Sequence, residues 1–476
     1  MYKYLTWAER NGIMSKNNSS LGKEKILSII KKEGARVYFA GVGGVGMSSL
    51  AILTKSLGIY AYGGDRDSSE YTEILEKHGI SVSIGPFLST DCAPSLIVYT
   101  LALGDDEVFR YAESYGIPTV SRAEYLGALM TEYINRIGVS GSHGKSTVTA
   151  MLEGIFSYAG QKPTVVSGAP LAGRREPFLI GEREVFIYEA CEYKDSFLCF
   201  SPTCTVFTNV ELDHVDYFKD REAIEASFIR AMNMPNLSVL NIDDPATKRL
   251  ISSVKAPFVT YGESPEADFK ISRVKSCGGY YSFFVSGLGG RDEIKLKVPG
   301  RFNVHNAAGA YALGVMLGVL GGVCARALSE FSGISRRLEY LGTLCEVPVY
   351  YDYAHHPTEI KKTVEALREV TDKKITVLFR PHTYTRTAYF IDEFAEALGR
   401  ADKVYVMDIS AIREKEILGV SSELLAKKIG KCAERITESS LIERITEQKD
   451  TAFLLMGAAD VGVEKIKNII TRGGAC

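Results

Sequence analysis

"IGVSGSHGKSTVTA", residues 137–150, places a glycine turn between a short apolar run and a helix-forming segment, with Lys145 and Ser146 where that helix begins. A turn of this kind points backbone N–H groups, the positive end of a helix and an ammonium at one spot, which suits a phosphate. The fit to the phosphate-loop spacing Gly-x-x-x-x-Gly-Lys-Ser/Thr is partial, because Val139 occupies the first glycine position. Strand "RIGVS", turn "GSHG" and helix "KSTVTAMLEGIFSYAG" nevertheless follow in the required order. Gly141, Ser142, His143, Gly144, Lys145, Ser146 and Thr147 are therefore candidate phosphate-binding residues.

Outward from this stretch, strand-like runs alternate with helix-period segments: "VYFAG", "LIVYT", "EVFIYEA", "CTVFTNV", "VYYDYA", "ITVLFRP", "KVYVMD" and "AFLLMGA". Alternation of this sort predicts an α/β protein with doubly wound parallel sheets. At 476 residues the chain exceeds what one core supports, and three domains are expected. Residues 1–34 read as a polar extension with one amphipathic helix. Residues 35–133 form a first Rossmann-like domain, 134–334 a central P-loop-type domain, and 335–476 a second Rossmann-like domain. Between about 258 and 300, Gly-rich turns without a helix predict a small antiparallel sheet appended to the central domain.

Composition narrows the partners. With 56 basic and 58 acidic residues, the chain has no general field for nucleic acid or an anionic membrane. It contains no apolar run long enough to span a bilayer and no signal-peptide pattern. Nine cysteines without a Cys-x-x-Cys pair read as reduced thiols, so a cytoplasmic protein is expected, either monomer or homodimer.

A second glycine turn, "GVGGVG", sets Gly41, Gly43 and Gly46 in the dinucleotide spacing, with Asp65 roughly 20 residues on, where such folds hold a ribose. From these residues alone, a nicotinamide enzyme competes with other nucleotide binders. Glu189, Asp213 and His214 follow apolar runs in the central domain, so they should face the phosphate turn from the carboxyl ends of strands. Glu189 and Ser146 suit magnesium, while His214 is a less typical ligand. Of seven histidines, six lie at turns or strand ends: His143, His214, His305, His355, His356 and His382.

In order, "GVGGVGMSSLA", "GSHGKST", "EACEYKDSFL", "TNVELDHVDYF", "NIDDP", "GRFNVHNAAGA", "SRRLEYLG", "YDYAHHPTE" and "FRPHTYTRT" resemble the Mur ligases, ATP-dependent enzymes that extend the UDP-sugar precursor of peptidoglycan. The resemblance runs from about residue 35 to the C-terminus. It implies ATP and Mg2+ as cofactors, and a reaction that joins L-alanine to the carboxylate of UDP-N-acetylmuramate through an acyl phosphate. The first glycine turn, Gly41, Val42, Gly43, Gly44, Val45 and Gly46 with Asp65, would bind the UDP-sugar rather than a dinucleotide. Residues 141–147, Asn303, Asn306 and Arg337 would bind ATP, and Ser146, Glu189 and His214 the metal. Tyr353, His356 and Arg386 would receive the amino acid, with Lys145, Arg337, His355, His356, His382 and Arg386 forming the catalytic set.

The chain departs from the family pattern at Pro86, Thr100, Leu101, Phe302 and Thr383. A relative that adds a peptide to the same sugar nucleotide, a nicotinamide oxidoreductase and a non-catalytic nucleotide sensor are the alternatives.

Overall fold

A computed structural model describes residues 21–85, 93–101, 103, 107–170, 174, 176–410, 414–448, 450–458 and 461–471. Pro86 lies outside them. Among the described residues the strands form three sheets. In the first domain, β1 (Arg36–Ala40), β2 (Tyr60–Asp65), β3 (Val82–Ile84), β4 (Leu96–Tyr99) and β5 (Thr119–Ser121) pair in parallel in the order β3-β2-β1-β4-β5. The order reverses between β1 and β4, and the glycine turn follows β1, so it opens at the switch point where such sheets bind ligands.

Helix α1 (Lys23–Ile30) lies in the segment read as an extension, yet its Ile26 and Ile30 are buried in the core shared by the first and central domains. Lys23 Nζ donates to the Phe200 carbonyl (2.9 Å) and Ser201 Oγ (2.5 Å) of the central domain. An amphipathic helix with so strong an apolar stripe docks rather than standing in solvent.

Among the described residues the central sheet has ten strands, of which β6 (Asn135–Ser140), β7 (Thr164–Val166), β9 (Val185–Ala190), β10 (Cys204–Phe207), β11 (Leu237–Asn241) and β12 (Phe258–Gly262) pair in parallel, with β6 between β9 and β10, while β8 (Phe178–Leu179) lies antiparallel to β7 at the edge. The antiparallel strands expected at about 258–300 continue this sheet at its edge. β12 is parallel to β11, and β13 (Phe269–Cys277) joins β12 in parallel through Tyr261 and Phe269, then runs antiparallel to β14 (Tyr280–Gly287), which is antiparallel to β15 (Gly290–Pro299). Alternate residues Tyr281, Phe283, Val285, Ile294 and Leu296 are buried while their neighbours face out. Their apolar face belongs to the central core beneath helix Phe302–Met316, so the strands extend that core rather than build a second one.

In the third domain, β16 (Glu339–Leu344) pairs antiparallel to β17 (Val347–Asp352), followed by the parallel strands β21 (Thr451–Met456), β18 (Lys374–Phe379), β19 (Lys403–Val406) and β20 (Ala433–Arg435). All six residues of β21 are buried, which fits its place between β17 and β18 with a core on each face.

Cys191, Cys199, Cys204, Cys277, Cys324 and Cys432 are free thiols, but Cys345, in the β16–β17 turn, is disulfide-bonded, contrary to the expectation of reduced thiols throughout. Disulfide pairing depends on proximity in the fold, which cysteine spacing does not reveal. Among the described residues no helix is long and apolar enough to cross a membrane.

Candidate active site

The phosphate turn joins β6 to helix α2 (Lys145–Tyr158) at the centre of the molecule. Gly141 and Gly144 have φ of +140° and +85°, and a Cβ at Gly144 would come within 2.6 Å of Asn306 Oδ1, so both positions require glycine. The amides of Ser142 and His143 are taken by the Asn209 carbonyl (3.1 Å) and Asn209 Oδ1 (2.9 Å). Anion binding therefore falls to the first-turn N–H groups of α2, which have no helical acceptor. Lys145 Nζ reaches Glu192 Oε2 (2.9 Å), the Ser142 carbonyl (3.0 Å) and the Gly141 carbonyl. Burial works against its charge, but Glu192, itself completely buried, holds the ammonium above the ordinary lysine range.

Two cavities meet at this turn. The first, about 1250 Å³, lies between the first and central domains and is lined by Gly41, Gly43, Gly44, Gly46, Asp65, Arg122, Lys145 and Glu189. Asp65 Oδ2 accepts from the Gly43 amide (2.8 Å) and Oδ1 from the Arg66 amide (2.8 Å), so this carboxylate pins the glycine turn from the end of β2. Thr100 and Leu101 follow β4, and Thr100 also borders the cavity.

The candidate metal ligands lie at this junction. Glu189, near the end of β9, accepts from Ser167 Oγ (2.9 Å) and the Gly168 amide (2.5 Å) through Oε1, leaving Oε2 without a protein donor among the described residues. With Ser146 Oγ it offers the hard oxygen donors that magnesium prefers. His214 has a left-handed backbone (φ +51°), packs on Tyr193 (4.6 Å between centroids) and places Nε2 3.8 Å from Glu192. Burial opposes protonation of His214, but Cys191 and Asp213 raise its pKa.

The second cavity, about 530 Å³, lies between the central and third domains. His143, Gly144, Thr147, Phe302, Asn303, Asn306, Arg337 and Asp352 line it. Asn303 and Asn306, one turn apart, are linked by a 3.0 Å amide hydrogen bond, and Asn303 also donates to the Pro299 carbonyl. His305 instead faces Asp243 at 2.9 Å.

Several polar contacts hold the third domain against the turn. His143 lies 3.0 Å from Glu211 of the central domain and 3.2 Å from Glu359 of the third. Burial would lower its pKa, yet the two carboxylates push it up to about 9, so the imidazolium bridges the domains. Thr358 also donates to Glu211. Arg386 is buried, and its Nε (3.1 Å) and Nη2 (2.5 Å) both donate to Asp213 Oδ1. Thr383, at a departure from the family pattern, caps the helix that carries Arg386. Glu192, Glu211 and Glu359 lie within the quoted blocks "EACEYKDSFL", "TNVELDHVDYF" and "YDYAHHPTE" but were given no role, and only knowledge of which strand ends converge would have assigned one.

Beyond the pair, Tyr353, His355 and His382 cluster, with ring centroids 5.4 and 6.1 Å apart. Burial, with Arg386 nearby, holds the His355 pKa down to about 3, so this ring is neutral at physiological pH. His356 caps helix Pro357–Val370 through Nδ1, and its buried Nε2 has no hydrogen-bond partner among the described residues. Arg337 lies 3.6 Å from Glu359, facing the second cavity.

Three family descriptions match in series: "Mur ligase family, catalytic domain" over residues 36–134, "Mur ligase middle domain" over 139–314 and "Mur ligase, glutamate ligase domain" over 336–461. The chain is 39% identical over 402 residues to UDP-N-acetylmuramate--L-alanine ligase of Caldicellulosiruptor bescii, covering 83% of this chain and 88% of that one. It is 38% identical to the protein of that name from Caldicellulosiruptor saccharolyticus, covering 90% and 96%. The crystal structure of UDP-N-acetylmuramate-alanine ligase from Thermotoga maritima superposes with a TM-score of 0.78 at 27% identity, over 92% of this chain and 100% of that one. A murein peptide ligase from Psychrobacter arcticus, at 23% identity and TM-score 0.69, shares the fold. These matches do not support the nicotinamide oxidoreductase, whose spacing argument rested on one glycine turn shared by many nucleotide folds. With all three domains matched in order, the chain belongs to the Mur ligase family.

Proposed function

We propose that this protein is a cytoplasmic ATP-dependent ligase that joins L-alanine to the carboxylate of UDP-N-acetylmuramate through an acyl phosphate, in peptidoglycan precursor synthesis. The observation that carries this reading is the pair of cavities, one on each side of a single phosphate turn. The larger takes the sugar nucleotide and the smaller ATP, with adenine against Asn303 and Asn306, so the reacting groups meet at Lys145. The names of the relatives agree with it.

The chemistry asks a carboxylate to attack a phosphate, and two anions repel. Lys145 in the first cavity and Arg337 in the second supply cations to either side of the transferring group. Magnesium, held by Ser146 and Glu189 with His214 after loss of its proton, supplies further charge neutralisation when bound. The acyl phosphate must then be shielded from water. The His143, Glu211 and Glu359 contacts close the third domain over the turn, and this closure orients the amine. Arg386 with Tyr353 receives the alanine carboxylate. The neutral His355, the Nε2 edge of His356 and His382 border the path of the amine as it sheds its proton.

Phosphate release from ATP, measured with UDP-N-acetylmuramate and a panel of amino acids, tests the reading: release is expected with L-alanine and absent without the sugar nucleotide. A clear preference for a peptide acceptor would move the chain to the peptide-adding branch. NADH binding without UDP-sugar binding in calorimetry would overturn the assignment.

Glu189→Ala removes the one anionic magnesium ligand. The magnesium concentration for half-maximal rate is expected to rise at least about tenfold. An unchanged magnesium titration would point to another ligand set.

A further inference from the structure

Arg122 was not among the residues the sequence singled out. It is the first residue of helix Arg122–Leu129, directly after β5, and its half-buried side chain lines the cavity between the first and central domains. The guanidinium lies along the first turn of helix Val45–Ser56: a Cβ on Gly46 would meet Arg122 Nη1 at 3.3 Å and Cδ at 3.4 Å. The last glycine of "GVGGVG" thus makes room for this arginine, a role distinct from close packing of helix on strand.

Among the described residues no carboxylate forms an ion pair with Arg122 and no acceptor hydrogen-bonds it, although Glu189 and Cys191 bear on it electrostatically from across the cavity. Glu124, on the same helix turn, is committed to the capping box at Ser121. Beside the guanidinium, the amides of Val45 and Gly46 begin a helix and have no intrahelical acceptor, whereas the Gly43 amide is already taken by Asp65. An unpaired guanidinium next to free amides at a helix start is built for an anion with several oxygens.

We propose that Arg122 grips the diphosphate of the sugar-nucleotide donor against the first turn of helix Val45–Ser56, and so sets how far the donor carboxylate reaches toward Lys145. The inference rests on the proposed donor. The muramate carboxylate is the other anion on that molecule, but Gly46 places the guanidinium at the glycine turn rather than at the Lys145 turn.

Calorimetry with UDP, which has the diphosphate and no carboxylate, separates the two. Arg122→Ala is expected to weaken UDP and UDP-N-acetylmuramate alike, by about tenfold or more each, with KM for ATP unchanged. Arg122→Lys should recover part of the loss, because it keeps the charge without the fork. Gly46→Ala, which displaces the guanidinium while leaving Arg122 in place, should fall between, and covers the case in which the alanine variant does not fold. Loss confined to UDP-N-acetylmuramate would move Arg122 to the carboxylate and overturn the proposal. Equal UDP affinity in wild type and Arg122→Ala would remove it from the site. A wild-type protein that binds neither nucleotide would overturn the donor assignment itself, and this inference with it.

Discussion

Lys145→Ala is expected to lower the ligation rate at least about a thousandfold, the scale of losing a preorganised cation at a developing phosphoryl charge. The turn alone implies that the fold would be untouched, since its amides remain. The structure adds a second effect, because Lys145 is the partner of Glu192, a completely buried carboxylate. Leaving that charge unpaired should cost about 3–5 kcal/mol of stability. Two measurements separate the effects. Thermal unfolding of Lys145→Ala should show a clear loss of Tm that Lys145→Ala/Glu192→Gln largely restores, since a neutral amide is cheaper to bury than a charge. Phosphate release should stay at the single-mutant level in both. Recovery of turnover in the double variant would mean that the lysine acts through the fold, and the phosphate assignment would fall.

How much of this was legible in the sequence follows from how far apart the partners lie. Gly141, Gly144, Lys145 and Ser146 lie within residues 141–146, and a turn after a strand constrains its own geometry, so its strand–turn–helix form could be read directly. Glu189, Asp213 and His214 could be placed near it because strands in a parallel sheet end on one side. Glu192 could not, because its partner is 47 residues away and Glu192 sits past the end of β9, just before the 3₁₀ turns at Tyr193–Cys199, where no strand pattern fixes its direction. Nor could the His143–Glu359 bridge, which exists only once two domains touch. Arg122 was hidden for a related reason: β5 is two strands from β1 in the sheet, and only the approach of its helix to Gly46 brings the guanidinium to the glycine turn. The antiparallel strands β13–β15 were recognised by their Gly-rich turns and the lack of a helical period. Their continuity with the central sheet was not, because it depends on two residue pairs at the β12–β13 edge.

Arg386 carries the second large effect, and the structure changes what that prediction must separate. Its fork was expected to hold the alanine carboxylate, yet here Nε and Nη2 both serve Asp213 Oδ1, which also accepts from the His214 amide (2.6 Å). Burial of Asp213 opposes ionisation, but Arg386 and neighbouring histidines hold its carboxyl well below the usual range, so the pair is charged. Removing one partner of a buried pair costs about 3–5 kcal/mol, and at about 1.4 kcal/mol per decade Arg386→Ala should lower kcat/KM a hundredfold or more. Part of that is loss of the interdomain tie, which Asp213→Asn removes on its own while leaving the guanidinium in place. If Arg386 also grips the amino acid through the donors Asp213 leaves unused, adding Arg386→Ala to Asp213→Asn should still raise KM for alanine by about tenfold, with KM for ATP unmoved. Arg386→Lys should show the same selective rise, because a single ammonium cannot serve two carboxylates in fixed geometry. Steady-state kinetics with alanine varied at saturating ATP decide the matter. A double variant with the alanine KM of Asp213→Asn alone would leave Arg386 as an interdomain tie and remove it from the amino-acid site.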